Sequence, residues 1–203
     1  PELLNAIVRA VRAEVPANIP FTAKMRLGIS DTSRAIDCAQ ALEAGGIDEL
    51  IVHARTKLDG YRPPARWEWI DKIRASIRIP LIANGEVWTA EDLMKCQQAT
   101  GCVDIMVGRG AIADPLLARR ARGQRVGGWN EVAPGVAVYW LGVRQKVVPV
   151  HAGGRIKQWL ALLRRNYPEA EVLYERLRPI KTAHEIDAAL LAAGILTELP
   201  RAA

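Results

Sequence analysis

Two glycine-containing segments of this sequence have the residue types that bind phosphate groups. They are Asn84-Gly85-Glu86 and Gly108-Arg109-Gly110, and each follows a short β-rich run. Glycines let the backbone approach an anion closely, a following helix N-terminus offers free N–H groups, and Arg109 can add a charge-assisted hydrogen bond. The alternative interpretation is that these glycines only form tight turns. The added arginine favours a phosphate site.

Two further polar groups, Lys24 and His53, lie within predicted strands. Lys24 has apolar neighbours on both sides, and a charge in such a position needs a partner or an anionic ligand. His53 lies near the end of the next strand. Each residue alone is more often structural than functional. Together with Asn84 and Arg109, however, they predict a ring of polar groups at one end of the strands.

The elements that position these groups alternate between strand and helix patterns through residues 1–110. Strands separated by about 25 to 30 residues, with helices between them, indicate parallel βαβ units and an α/β fold. Parallel barrels and open α/β sheets bind their ligands at the carboxyl ends of the strands, where these polar groups occur. The predicted strands are 21–27, 49–55, 81–86 and 104–108, and the predicted helices are 2–14, 32–44, 66–77 and 89–99.

Beyond Gly110 the pattern is wholly helical, and a glycine-rich link at residues 123–128 interrupts it. This link predicts a first domain at residues 1–126 and a second at 127–203. Charge is distributed unevenly along the chain. Residues 1–110 hold 14 Lys and Arg against 14 Asp and Glu, whereas residues 111–203 hold 14 against 8. This asymmetry suggests that the second half of the chain binds a polyanion. A solvated basic surface is the alternative.

One predicted helix of the second half combines an apolar stripe with basic residues. The stripe follows the i, i+3, i+4, i+7 rule of a helix face that packs into a core, and it consists of Ile156, Trp159, Leu160 and Leu163. Basic residues beside this stripe or facing away from it are Arg155, Lys157, Arg164 and Arg165. Such side chains contact backbone phosphates in RNA recognition, although a solvated surface has the same pattern.

The three cysteines, Cys38, Cys96 and Cys102, are too few and too widely spaced for a disulfide framework or a zinc site. We therefore expect a reducing, cytoplasmic setting and no metal. The longest uncharged apolar run, 132–143, is too short to span a bilayer, which needs roughly 20 residues. The sequence starts at Pro1 and enters directly into a predicted helix, so we expect the natural N-terminus to lie upstream.

Four segments of the sequence lie at residues 23–28, 52–56, 82–86 and 107–111. In this order they resemble motifs of the tRNA-dihydrouridine synthases. The segment Gly60-Tyr61-Arg62 and the run 155–160 are similar to the bacterial C-type subfamily, which acts on uridine 16 of the D-loop. The resemblance covers essentially the whole chain. The four segments are Ala23-Lys24-Met25-Arg26-Leu27-Gly28, Val52-His53-Ala54-Arg55-Thr56, Ile82-Ala83-Asn84-Gly85-Glu86 and Val107-Gly108-Arg109-Gly110-Ala111.

The resemblance implies an α/β fold that is the C-terminal half of a TIM (β/α)8 barrel, followed by an all-α helical domain. It also implies flavin mononucleotide (FMN), which NADPH reduces and which passes a hydride to C6 of an extruded uracil while an acid protonates C5. Cofactor-binding residues would be Lys24 and His53 near the isoalloxazine ring and Asn84, Gly85, Glu86, Gly108 and Arg109 on the ribityl phosphate side. Residues that contact the tRNA would be Tyr61, Arg155, Lys157 and Arg178. The complete protein is expected to be a monomer.

The sequence departs from the family pattern at the proton donor, which in the family is a cysteine in a Gly-Cys-Pro loop. No Gly-Cys-Pro occurs here, so no catalytic residue is assigned. We expect a fragment without the N-terminal half-barrel, which on its own neither binds flavin tightly nor reduces uridine. Two alternatives remain: a small-molecule flavin or sugar-phosphate barrel enzyme, and a truncated, non-catalytic RNA-binding module. Binding to RNA that weakens strongly with salt would distinguish the first of these from a tRNA enzyme.

Overall fold

The computed structural model describes residues 1–200 and divides the chain into two compact units. The first is Pro1–Gly108 and the second begins at Arg109. This division falls earlier than the domain boundary predicted at 126/127. Among the described residues, no helix is long and apolar enough to cross a membrane.

The first unit is a four-stranded parallel sheet with strand order β1-β2-β3-β4, which confirms the predicted parallel α/β arrangement. Each strand is followed by a crossover helix, except β4, which closes the unit. The elements are α1 (Glu2–Glu14), β1 (Thr22–Arg26), α2 (Ala35–Gly45), β2 (Glu49–His53), α3 (Trp67–Arg74), β3 (Leu81–Asn84), α4 (Ala90–Thr100) and β4 (Ile105–Met106).

The two faces of this sheet differ in burial because successive strand residues point to opposite sides. The face that packs on helices α2 to α4 forms the core of the unit, and it carries the buried residues Leu50, Val52, Leu81 and Ala83. On the opposite face, Ile51 and Ile82 are only half-buried, and Lys24 pairs with Ile51 in the strand register. This second face is therefore the less enclosed side of the sheet.

The strand register places polar residues from three strands side by side. Arg26 of β1 is paired with His53 of β2, which in turn is paired with Asn84 of β3. All three are the last residues of their strands. We call this set the polar row. It lies at the carboxyl edge of the parallel sheet, where the sequence predicted a ligand site.

From Arg109 to residue 200 the second unit contains helices and no strand. Its core is built around the fully buried Trp140 of α7 and Ile156, Leu160 and Leu163 of α8. The predicted apolar stripe on α8 thus forms a core. The remaining member of the stripe, Trp159, is only partly buried. Its ring contacts the Tyr139 ring edge-on, with the two ring centroids 4.8 Å apart. The helices are α5 (Arg109–Ala113), α6 (Leu117–Ala121), α7 (Trp129–Lys146), α8 (Pro149–Leu163), α9 (Pro168–Leu177) and α10 (Ala183–Ala192).

Three hydrogen bonds explain why residues 109–126 belong to the helical unit. The Trp159 indole donates to the Ile112 carbonyl at 3.0 Å, and the Asn166 amide donates to the Ala113 carbonyl at 2.9 Å. The buried Tyr167 hydroxyl donates to the Asp114 carboxylate at 2.6 Å. Since these bonds join segments about 50 residues apart in sequence, the glycine-rich link that suggested the later boundary could not reveal them.

Candidate functional site

Lys24 occupies an exposed position on the edge strand β1, on the same face as the polar row. Partial burial of the ammonium, and then the nearby positive charge of Arg26, lower its pKa. Two cations on one strand face form a site that favours an anion. The sequence argument that Lys24 needs a partner assumed that its charge is enclosed by apolar neighbours, and the exposed position does not meet that condition. An anion site at Lys24 therefore depends on the two neighbouring cations alone.

His53 is buried, with only 6% of its surface exposed, at the end of β2. Its ring lies 6.1 Å from the Tyr61 ring, measured between centroids. Gly85 lies against its other edge: a Cβ at that position would come within 3.1 Å of His53 Cδ2. The φ of Gly85 is +126°, which side chains rarely adopt. The turn that follows β3 therefore requires glycine at position 85, because a side chain there would strain the backbone and crowd the His53 imidazole.

Asn84 is held in the polar row by β-sheet partners on both sides. Its side-chain amide donates to the Met106 carbonyl at 2.8 Å, and its own carbonyl accepts the Ala54 N–H at 2.9 Å. The Trp67 indole donates to the carbonyl of the following residue, Gly85, at 3.0 Å. The Asn84-Gly85 turn is thus fixed in place by neighbouring elements.

Glu86 follows this turn with a left-handed backbone, at φ +59°. Both carboxylate oxygens have internal donors: one contacts the Arg55 guanidinium and the other accepts the Trp88 indole N–H at 3.0 Å. The sequence predicted Glu86 as a cofactor-binding residue. In the structure both carboxylate oxygens accept from protein donors, while 27% of the side chain remains exposed.

Arg55 is a residue of this site that the prediction did not include. It is completely buried and contacts His53, Arg62 and Glu86. A fully buried arginine is rare unless it is paired. The sequence signal was its position two residues after His53, which put both on one side of an extended chain. Its acidic partner lies 31 residues further along, and no local pattern indicates that pair.

Residues 56–62, here called the 56–62 loop, cover the edge of the sheet beside His53. The Arg26 guanidinium donates to the Thr56 carbonyl at 2.8 Å and to the Gly60 carbonyl at 3.0 Å. It also lies 5.5 Å from the centre of the Tyr61 ring. Tyr61, predicted to contact tRNA, is 62% exposed. An exposed ring on a loop fixed by arginine is suited to stacking with a base.

Gly108 and Arg109, the predicted phosphate residues, fall on either side of the division between the units. Apart from Gly108 itself and its two neighbours in the chain, no described atom lies within 4 Å of the place where a Gly108 Cβ would be, so a ligand could approach this backbone closely. Arg109 begins α5, which has only five residues. Such a short helix adds little through its dipole, and the predicted helix contribution to phosphate binding is correspondingly reduced.

The predicted RNA-binding residues of the second unit lie on α8 and at the end of α9. Arg155 and Arg178 are exposed. Lys157 donates to the Arg178 carbonyl at 3.2 Å and to the Ile180 carbonyl. The ammonium therefore stabilises the C-terminal end of α9 and lies next to Arg178. The structure brings Lys157 and Arg178 together.

No group of three or more His, Cys, Asp or Glu side chains within residues 1–200 is arranged to hold a metal ion. The three cysteines are unpaired. Burial raises the pKa of Cys96 to about 12 and also raises the pKa of Cys102. These two buried thiols therefore have the character of core residues.

The structure is that of an α/β protein whose parallel sheet has polar groups and glycine turns at its carboxyl edge, the edge at which such sheets typically bind ligands. Comparison with protein families gives the particular class: residues 1–137 match the model described as dihydrouridine synthase (Dus). The chain belongs to the dihydrouridine synthase family, as the sequence motifs indicated.

The chain is also similar to proteins named tRNA-dihydrouridine(16) synthase. It is 48% identical over 193 residues to the protein of Aquipseudomonas alcaligenes, which covers 92% of this chain and 61% of the relative. It is 49% identical over 195 residues to the protein of Cupriavidus necator, covering 94% and 61%. The chain thus spans about 60% of the length of these relatives.

Proposed function

We propose that this chain carries the flavin-binding sheet and the tRNA-binding helices of an enzyme that reduces uridine to dihydrouridine in tRNA. The site of modification would be position 16 of the D-loop, and the setting would be the cytoplasm. The polar row of Arg26, His53 and Asn84, at the carboxyl edge of the sheet in a chain of this family, carries the proposal. The names of the relatives support the substrate class.

FMN is the cofactor we propose for this edge, with NADPH as reductant. Three features of the structure fit it. Lys24 supplies a positive charge beside the row, the backbone at Gly108 has open space around it, and Arg55 compensates the Glu86 carboxylate. An anionic ligand would otherwise be repelled by that carboxylate. When bound, FMN supplies hydride chemistry for C6 of the uracil.

The protein residues would orient the reacting groups and place charge near them. Lys24 and His53 would lie beside the flavin ring, and Tyr61 would offer a stacking surface to the RNA. Protonation of C5 needs an acid, and the sequence has no Gly-Cys-Pro. Cys96 and Cys102 are buried on the core side of the sheet. We therefore propose that the 203-residue chain does not form dihydrouridine by itself.

The flavin part is tested by NMR on the 15N-labelled chain, titrated with FMN and, separately, with riboflavin, which lacks the phosphate. We expect FMN to shift the amide signals of Asn84, Gly85 and Gly108. Riboflavin should shift the Gly108 amide signal much less than FMN does, because riboflavin has no phosphate. Equal shifts with both ligands, or shifts scattered over the helical unit, would contradict the proposed orientation.

The RNA part is tested by binding of the chain to unmodified tRNA at several salt concentrations. We expect log affinity to fall linearly with log salt, and the slope to become shallower by roughly 0.7 to 0.9 for each phosphate contact removed. Arg155→Ala and Arg178→Ala together should therefore change the slope by about 1.5, and Arg34→Ala, on the exposed surface of the first unit, should leave it unchanged. Absence of RNA binding would favour the small-molecule enzyme. RNA binding without FMN binding would favour the non-catalytic RNA-binding module.

A further inference from the structure

Arg55 combines complete burial with a permanent charge. Its side chain has 0% exposure, and its three guanidinium nitrogens contact three different segments of the first unit. Nε donates to the Arg62 carbonyl at 2.7 Å, Nη1 lies 3.5 Å from His53 Nε2, and Nη2 contacts the Glu86 carboxylate. A buried charge with this set of partners links the end of β2, the 56–62 loop and the β3 turn.

The contact with His53 has a consequence for the protonation of the imidazole. A guanidinium has only donors, and it stays protonated in proteins. The ring nitrogen that faces it must therefore act as acceptor. With Nε2 as the acceptor, a neutral imidazole carries its proton on Nδ1.

The contact with Glu86 makes this arrangement stable. A buried arginine without an anion is strongly destabilising, and Glu86 provides the compensating charge. The carboxylate is oriented by the Trp88 indole, and its backbone adopts the left-handed conformation after the Gly85 turn. The guanidinium position is thus set from the β3 side, independently of the loop.

Through its contact with the Arg62 carbonyl, the Arg55 guanidinium also positions the 56–62 loop. Arg55 fixes the end of the loop at the Arg62 carbonyl, while Arg26 holds its beginning and middle through Thr56 and Gly60. Between these points Tyr61 lies beside the His53 ring. One guanidinium therefore positions both the imidazole and the loop that carries the exposed aromatic ring.

We propose that Arg55 is a positioning residue of this site: it fixes His53 as the neutral tautomer with the proton on Nδ1, and it holds the 56–62 loop beside that ring. For catalysis the meaning of this arrangement rests on the proposed function. His53 would offer its Nδ1 proton as a donor to acceptor atoms of a flavin ring. The arrangement itself needs neither flavin nor RNA to exist, and it can be measured without them.

The decisive measurement is a two-bond 1H–15N correlation spectrum of the histidine rings of the 203-residue chain at neutral pH. The sequence has three histidines, and the other two, His151 and His184, are exposed and serve as references. We expect the His53 ring to show one neutral tautomer with a protonated Nδ1 and an unprotonated Nε2. A protonated Nε2, as the other tautomer or as imidazolium, would overturn the proposal.

The role of Arg55 is then isolated with Arg55→Lys, which keeps the positive charge but cannot make all three contacts of the guanidinium. We expect this variant to mix the two His53 tautomers and to raise amide exchange at Gly60 and Tyr61 at least tenfold. Arg34→Lys, an exposed arginine paired with Asp37, is the control and should change neither. An unchanged His53 spectrum in a folded Arg55→Lys variant would refute the positioning role. If that variant does not fold, the His53 tautomer observed in the wild-type chain decides whether the proposal stands.

Discussion

A buried ion pair in the helical unit yields a quantitative prediction about its stability. Asp187 of α10 is 2% exposed and accepts the Trp140 indole N–H at 2.7 Å through one oxygen. Its other oxygen lies 3.3 Å from the Arg144 guanidinium, whose side chain is 18% exposed. The Arg144 Nε has no hydrogen-bond partner among residues 1–200. The Asp187 carboxylate is therefore the main partner of two donor groups on α7, the Trp140 indole and the Arg144 guanidinium.

Asp187→Ala should destabilise the helical unit by about 3 kcal/mol. Breaking a buried pair by removing one partner costs about 3 to 5 kcal/mol, and the partial exposure of Arg144 places this case at the lower end. That value includes the cost of leaving the Trp140 indole without an acceptor. Asp187→Asn removes the charge but keeps an acceptor for Trp140, so we expect roughly half the loss.

Hydrogen exchange measures this unit separately from the sheet. The amides of Ile156 and Leu160, both fully buried on α8, should exchange roughly 150-fold faster in Asp187→Ala, which corresponds to about 3 kcal/mol. The amide of Ile70 in the first unit should not change. Glu185→Ala, an exposed capping residue on the same helix, is the matched control. Its expected cost is about 1 kcal/mol or less.

A change of less than tenfold at Leu160 would refute the reasoning, because it would mean that Arg144 does not depend on Asp187. The double variant Arg144→Met with Asp187→Leu provides a second check. It removes both charges together, so no unpaired ion remains, and most of the lost stability should return. A double variant as unstable as Asp187→Ala would show that the loss comes from packing or from the lost acceptor of the Trp140 indole, and not from the charge.

Two further predictions concern titratable groups. At a pH of about 8, DTNB should label the half-buried Cys38, while Cys96 and Cys102 should react only after unfolding, because burial raises their pKa and keeps them as thiols. Equal labelling of all three would contradict this. Burial, and then the hydrogen bond to Asp114, raise the pKa of Tyr167 to about 12. Since the neutral phenol is favoured in the folded state, its contribution is complete below about pH 10 and is lost as the pH rises towards 12, by up to about 3 kcal/mol. Thermal unfolding should show this loss in the wild type and not in Tyr167→Phe; identical pH profiles would contradict it.

The sequence predicted the parallel sheet and the placement of its polar groups because both follow from local periodicity. Side chains alternate along a strand, so His53 and Asn84 could be assigned to strand ends from their own neighbours. The parallel order then follows from the helices between the strands. The structure confirms the parallel sheet and aligns Arg26, His53 and Asn84 in one row.

The features that the sequence did not predict all depend on contacts between distant residues. The pairing of Arg55 with Glu86 spans 31 residues, and the bond between Tyr167 and Asp114 that draws residues 109–126 into the helical unit spans 53. Lys157 was expected to face away from the core stripe. Its contacts with carbonyls beyond α9 arise only once α8 and α9 pack together. Local patterns contain no information about such pairs.

Glu86 shows how this limit affects the prediction of a site. A carboxylate at the end of a strand predicts a ligand contact, but the same chemistry also stabilises a buried arginine. Here Arg55 and the Trp88 indole use both oxygens of Glu86. Because the carboxylate neutralises Arg55, and Arg55 contacts His53 and the 56–62 loop, Glu86 acts on the site through these neighbours. A polar residue at a strand end can thus either face a ligand or hold such a residue in place, and its contacts with distant partners decide between the two.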